Sequence, residues 1–340
     1  MTSPNQERRR VLKIFGALPG MLMASSIPGV WSSKALAATN ENLHVWRGVA
    51  LGADATIKIH HPDGAVARGL IDRSLAEVAR LEGIFSLYDP RSALSRLNRD
   101  GLLDAPPLEL VELLGRSVEF TRMTGGAFDV TVQPLWKLYA EHFSRPDADP
   151  AGPAMGDVAA ARACVGSQGI VVASNRIHLG RRGAAVTLNG IAQGYLTDRV
   201  VELLRSAGIG HTLVDMGEIR AMDGRPEGGP WRAGLRDPGS PGKIMHEISL
   251  DNRALATSAG SGTLLDPAGR FNHIFDPATG ATSSRYSSVS VVADNATTAD
   301  ALSTAFSLMP ATAIAPIANR LRLSVYLRLA GGALTILNPI

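Results

Sequence analysis

The sequence predicts an α+β fold in which mixed sheets pack against helices. Three observations lead there. Short apolar runs of strand length recur along the chain, separated by turn residues. Amphipathic stretches of helix length lie among them. The two kinds do not alternate strictly, as a doubly wound parallel sheet requires. A chain of 340 residues is long enough for a substantial core.

The elements follow in order. His44–His60 alternates apolar and polar positions and reads as two strands broken at Gly52. Asp63-Gly64 then caps a helix over Ala65–Ile84, with Leu70, Leu75, Val78 and Leu81 on one side. Ser86–Asp104 is polar and turn-rich. Leu108–Met123 is a second helix, and Gly125-Gly126 interrupts the chain before Ala127–Tyr139. Arg145–Gly156, rich in Pro, Asp and Ala, reads as a surface loop. Cys164, the only cysteine, excludes an internal disulfide and a thiolate zinc cluster, and is expected as buried filler in the helical stretch Asp157–Val165. Strands are expected at Ile170–Val172, Arg176–Leu179 and Ala185–Leu188. A helix follows from about Gly190 to Ala207, then a strand at His211–Met216. Asp223–Pro230 and Asp237–Gly242 read as loops. Strands at Ile244–Leu250, Ala254–Thr257, Ser288–Val292 and Arg322–Leu329, and a helix at Thr298–Leu308, complete the pattern.

Charge is concentrated at one end. Residues 1–37 hold Arg8, Arg9, Arg10, Lys13 and Lys34 against the single acid Glu7. The rest carries 29 basic and 30 acidic side chains, which gives no basis for nucleic-acid binding. Arg8-Arg9-Arg10 followed by a weakly apolar run, and then by Ala35-Leu36-Ala37, reads as a twin-arginine signal peptide over residues 1–37. The run is too short and interrupted for a stable membrane span; an uncleaved anchor is the competing reading. A periplasmic protein comprising residues 38–340 is expected, touching a membrane only through a partner, with a monomer favoured.

Five stretches carry candidate chemistry. Phe85–Asn98 holds Tyr88, suited to stacking on a ring. Thr124–Thr131 sets paired glycines before Ala127-Phe128-Asp129. Thr187–Tyr195 runs from a strand through Asn189, a potential cap, into a helix opened by Gly190 and Gly194, where free amides suit a pyrophosphate. FNHIFDPATG (271–280) places His273 near Asp276. ADALSTA (299–305) places Asp300 and Thr304 four apart on one helix face, a hard-oxygen pair suited to Mg²⁺ beside a phosphate. Each alone has an ordinary structural explanation: a capped helix, a tight turn, plain packing or a solvated face.

Taken in order, the five resemble the signatures of the ApbE family, flavin transferases that attach FMN to proteins: FSxYxPxSxLSRLN, TGGAFDxTVxPL, DLGGIAKGYAVD, HIxDPxTG and ADALSTA. The resemblance spans roughly Val45 to Met309. With its leader and the variant TLNGIAQGY, the chain is most similar to the periplasmic branch associated with nitrous oxide reductase maturation, NosX. The resemblance implies an ApbE-like fold over 38–340 and an enzyme that uses FAD and Mg²⁺. It would transfer FMN to a Ser or Thr of an acceptor flavoprotein, of the NosR type, and release AMP. It further implies Mg²⁺ held by Gly190, Asp300 and Thr304; flavin contacts from Leu51, Tyr88, Ala127, Phe128, Asp129, Thr187, Gln193 and Ile274; and catalytic roles for His273 and Asp300. The departures are Thr187 for the usual Asp, Gln193 for the usual Lys, Leu51-Gly52-Ala53 for MGT, and Met216-Gly217-Glu218 for GGD or GGN. They leave two alternatives: a non-catalytic FAD-binding carrier or assembly factor, and an FAD pyrophosphatase.

Overall fold

The computed structural model describes residues 42–50, 53–237 and 240–339. The leader (1–37) and Leu51 lie outside the described residues.

The centre is an antiparallel sheet of eight strands in the order β1-β2-β6-β7-β10-β11-β12-β13. β1 (Leu43–Ala50) and β2 (Ala53–His60) form a hairpin, pairing Leu43 with His60 through to Ala50 with Ala53. β2 pairs β6 (Thr212–Asp215), which pairs β7 (Ile219–Met222). β10 (Ala254–Ser258) joins β7 to β11 (Tyr286–Ala293), and β12 (Ser324–Leu329) and β13 (Leu334–Leu337) close the order. β3 (Leu102–Asp104), β4 (Ile170–Ala173) and β5 (Arg176–Leu179) make a small second sheet. β8 (Trp231–Asp237) and β9 (Ser240–Leu250) form a two-stranded ribbon.

The large sheet is covered on both faces. Val214, Ala256, Val291 and Val325 belong to the main core, under the helices. Their neighbours Leu213, Leu255, Val292 and Tyr326 point the other way, into a second cluster with Trp231, Leu235, Ile248 and Leu250 of the ribbon. Burial on both faces is why these strands read as continuous apolar runs rather than as an alternation.

The helices over the first face are α1 (Gly64–Phe85), α2 (Ala93–Asp100), α3 (Leu108–Met123), α6 (Ala192–Ser206), α7 (Ala296–Phe306) and α8 (Ala311–Arg320). The expected cap of α1 is present: an Asp63 carboxylate oxygen accepts from the amides of Ala65 and Val66. Leu70, Val78 and Leu81 are buried as its periodicity requires. α4 (Gln133–Phe143) and α5 (Met155–Ala163) pack at the edge around Leu135, Tyr139 and Phe275.

Several expectations are corrected. Ala185–Leu188 is not a strand; its backbone bonds elsewhere. The Val186 amide donates to Asn98 Oδ1, Asn98 Nδ2 donates to the Val186 carbonyl, and the Thr187 amide donates to the Val130 carbonyl. The polar stretch Ser86–Asp104 conceals α2, capped by the Ser92 hydroxyl at one end and by left-handed Gly101 at the other. The helix expected from Gly190 begins at Ala192, and Asn189 does not cap it. Cys164 follows α5 rather than lying inside it, and is half-buried. α8 and the strands β7, β8 and β13 have no counterpart among the elements expected from the sequence.

Candidate functional site

α6 and α7 hold each other by exchanged carboxylates. Asn295 caps α7, its side chain accepting from the Thr298 amide, and Asp198, on α6, takes two more first-turn amides: its Oδ1 accepts from the Ala296 amide at 2.8 Å, and its Oδ2 from the Thr297 amide at 2.9 Å. The Thr297 hydroxyl and Arg220 Nη1 complete its shell at 2.5 and 2.6 Å. Asp300, on α7, returns the arrangement. Its Oδ2 accepts the Gly194 amide, in the first turn of α6, at 3.0 Å. Neither helix carries an acid in its own first turn, so each receives from the other the carboxylate that complements its dipole. A Cβ at Gly194 would come within 2.3 Å of the Ala296 carbonyl oxygen, so the approach of the two helices requires glycine there.

This packing gathers the three expected metal-binding positions. Thr304 lies one turn beyond Asp300 and is half-buried. A Cβ on Gly190 would sit 2.9 Å from Thr304 Oγ1, so that backbone lies directly against the hydroxyl. Ser258, at the end of β10, adds a hydroxyl 3.3 Å from Thr304 Oγ1 and 2.7 Å from Ser303 Oγ. Asp300 is 4% exposed. Burial pushes its carboxyl up to about 7, opposed by the Gly194 N–H and assisted by the field of Asp198.

Two further buried acids stand near it. Glu218, just before β7, is 5% exposed. The Thr257 amide lies close enough to act on its carboxylate, yet Oε2 has no hydrogen-bond partner. Burial, then the fields of Asp300 and Asp215, raise this carboxyl well above the usual range. Asp215, at the end of β6, is likewise raised to about 7 by burial, against the Gly217 amide and the nearby Lys58. In the sequence, Glu218 stands out only as a departure from GGD or GGN. The signal that could have found it is an acid directly after a sharp glycine turn.

Gln193 packs on that turn. A Cβ at Gly217 would lie 2.9 Å from its amide group, and Gly217 has φ +103°, so both space and backbone select glycine. A neutral amide therefore stands where the family pattern has a cation.

His273 sits against the loop after β10. Its Nδ1 lies 3.3 Å from the Thr263 carbonyl oxygen. A carbonyl only accepts, so Nδ1 carries the proton and Nε2 keeps its lone pair. Burial lowers the imidazole's pKa and keeps it neutral. Ile274 beside it is buried, with its amide on Asn272 Oδ1.

The remaining expected flavin contacts fall into two groups. Tyr88 is 55% exposed, on a loop tied by Ser86, and Thr187 and Ala127 are half-buried. Phe128 and Asp129 have their side chains committed to the fold. Phe128 is in the core, edge-on to Phe120. Asp129 Oδ1 accepts from the Thr131 amide and hydroxyl, and Oδ2 from the Ser167 amide. Contacts from those two positions are left to the backbone.

The five motifs nevertheless form one connected set. Asn98 bonds Val186 and Val130 bonds Thr187, joining the first three. Gly190 and Gly194 touch Thr304 and Asp300. Ser283 Oγ donates to the Ser307 carbonyl, which brings the stretch after Phe271–Gly280 to the end of α7. An open groove of about 770 Å³ lies beside this set, bounded by Asn98, Gln133, Lys137, His178, Arg181 and Ala185. Among the described residues, no group of three or more His, Cys, Asp or Glu side chains is placed to hold a metal ion. The positions expected to hold a cation would offer instead one carboxylate, one hydroxyl and a backbone carbonyl. All are hard oxygens, which suits Mg²⁺ shared with a phosphate.

Residues 51–327 match the ApbE family. The chain belongs to the ApbE family. It is 31% identical over 280 residues to the FAD:protein FMN transferase of Vibrio cholerae, covering 79% of this chain and 82% of that one. It is also 31% identical over 257 residues to the Haemophilus influenzae FAD:protein FMN transferase, covering 71% and 73%. Among solved structures it superposes on the flavin transferase ApbE of Vibrio cholerae with a TM-score of 0.75 at 26% identity, over 87% of this chain and 97% of that one. A histidine-to-glycine variant of that protein is also solved. The apo flavinyl transferase ApbE of Pseudomonas stutzeri matches with a TM-score of 0.72 at 25% identity, over 86% and 95%.

Proposed function

We propose that this ApbE-family protein is an Mg²⁺-dependent FAD:protein FMN transferase. The observation that carries the reading is the meeting of Asp300, Thr304 and Gly190 at the contact of α6 with α7. Bound there, Mg²⁺ would neutralise charge on the pyrophosphate of FAD.

The protein's own residues do the rest. The start of α6 presents its positive end toward the phosphates. Tyr88, Thr187, Gln193, Ile274 and the backbone of 127–129 would line the flavin. His273 Nε2 takes the proton of an acceptor Ser or Thr hydroxyl. That oxygen forms a bond to the FMN-side phosphorus, the P–O bond to the AMP half breaks, and AMP departs. Little covalent chemistry falls to the protein, so rate depends on positioning and charge neutralisation.

The acceptor would be a periplasmic or membrane electron-transfer protein of the NosR type, in keeping with the NosX-like motif variant and the twin-arginine pattern of residues 1–37. Export by that route places the enzyme in the periplasm.

The neutral Gln193 favours one second reading, an FAD-binding carrier with little turnover. Following AMP release from FAD separates the readings. Release that requires both Mg²⁺ and an acceptor domain supports the transferase. Release without an acceptor selects a pyrophosphatase, and tight FAD binding with no AMP selects the carrier.

A further inference from the structure

Glu218 is a buried acid without a reason in the fold. The Thr257 amide acts on its carboxylate, and one oxygen, Oε2, is enclosed and bonds to nothing. An orphaned buried polar atom of this kind requires an explanation. Protonation does not supply one. It would remove the charge of Glu218 but would supply no counter-charge for Asp300 beside it.

A protein cation does not supply one either. Among the described residues, neither Glu218 nor Asp300 forms an ion pair. Arg220, on the adjoining strand, is spent on Asp198 at 2.6 Å. Lys58 acts on Asp215. Two buried carboxylates with no counter-charge between them are costly to fold.

The neighbours of Glu218 are those of the site. The Thr197 hydroxyl donates to both the Gln193 and the Glu218 carbonyls, at 2.9 and 3.1 Å, tying this residue to the first turns of α6. Thr257, whose amide acts on its carboxylate, precedes Ser258, which touches Thr304.

We propose that Glu218 is a further ligand of the divalent cation held at Asp300 and Thr304, with Oε2 as the donor atom. This rests on the metal reading above and extends it: the site takes a cation with two carboxylates, and a charge of +2 offsets both. Hard oxygen donors of this number and type select Mg²⁺ or Mn²⁺ over softer metals.

The test is direct binding of Mn²⁺, read by electron paramagnetic resonance on the full mature chain with FAD present. Glu218→Gln keeps the side chain's shape and a carbonyl oxygen for the Thr257 amide. It is expected to weaken Mn²⁺ binding at least tenfold. Unchanged affinity in Glu218→Gln, with loss in Asp300→Asn, would overturn the role of Glu218 and leave the site intact; a buried water would then be the partner of Oε2. Unchanged affinity in both variants, or no binding by the parent, would overturn the metal reading itself. Should Glu218→Gln fail to fold, Glu218→Met fills the same space without a polar atom and is expected to show the same loss.

Discussion

At the scale of single residues, the site is a set of buried acids whose ionisation the fold resists. Asp215 gives the cleanest consequence. Its carboxyl rises from 3.8 to about 7, chiefly through burial. A raised acid favours the folded state while protonated. Its contribution is full below pH 3.8 and is lost as pH rises through about 7. Asp215→Asn removes that dependence while still accepting the Gly217 amide. Metal-free protein carrying it should gain stability relative to the parent between pH 5 and pH 8. The gain should reach a few kcal/mol, because each tenfold change in an acid's ionisation constant on folding is worth ~1.4 kcal/mol. Chemical denaturation at the two pH values checks this; an equal difference at both would contradict it. Legibility in the sequence varies at this scale. Asp300, Thr304 and Gly190 stand out because their spacing and glycine content encode the contact. Glu218 and Asp215 do not, because their significance comes from burial, and in Glu218 from the lack of a cation, which no local pattern records. Phe128 and Asp129 are legible both as a motif and, read as a plain tight turn, as a core ring and a cap, which is where the structure puts them.

At the scale of elements, the exchange of carboxylates between α6 and α7 sets the geometry of the site. The sequence shows both helices, but not that Asp198 takes two first-turn amides of one while Asp300 takes a first-turn amide of the other, across 102 positions of chain. The start of α6 departs from expectation for a related reason: of its first-turn amides, that of Gly194 bonds Asp300 and that of Ala192 bonds the Leu188 carbonyl, with no bond to Asn189. Asp198→Ala leaves two helix amides and Arg220 unpaired in a buried place, which is expected to cost about 3–5 kcal/mol. Gly194→Ala drives a methyl into the Ala296 carbonyl and should cost about 1–3 kcal/mol. It should also reduce flavin transfer more than a stability loss of that size explains, because it moves Asp300 relative to Gly190. Thermal unfolding together with transfer rates measured well below each variant's melting range checks both. Gly194→Ala with parental rates would contradict the close-contact account. The strand expected at Ala185–Leu188 shows the converse limit: an extended apolar run gives the conformation but not whether its partners are strands or side chains.

At the scale of the whole molecule, the fold class is legible because apolar runs and helical periodicity mix without alternation. The strand order is not, since it joins β2 to β6 and β7 to β10 across long stretches of chain. In the ribbon that covers the second face of the sheet, β8 goes unread between two glycine- and proline-rich stretches, whereas β9 contains the strand expected at Ile244–Leu250. The architecture brings motifs from five distant segments together, and the central claim is that the site they form moves FMN onto a protein with a divalent cation. The most direct measurement is the intact mass of a NosR-type acceptor domain after incubation with the mature protein and FAD, with Mg²⁺ or with EDTA. The account predicts a gain equal to one FMN on a single Ser or Thr, present with Mg²⁺, absent with EDTA and absent with Asp300→Asn. Labelling that persists in EDTA and in Asp300→Asn would contradict it.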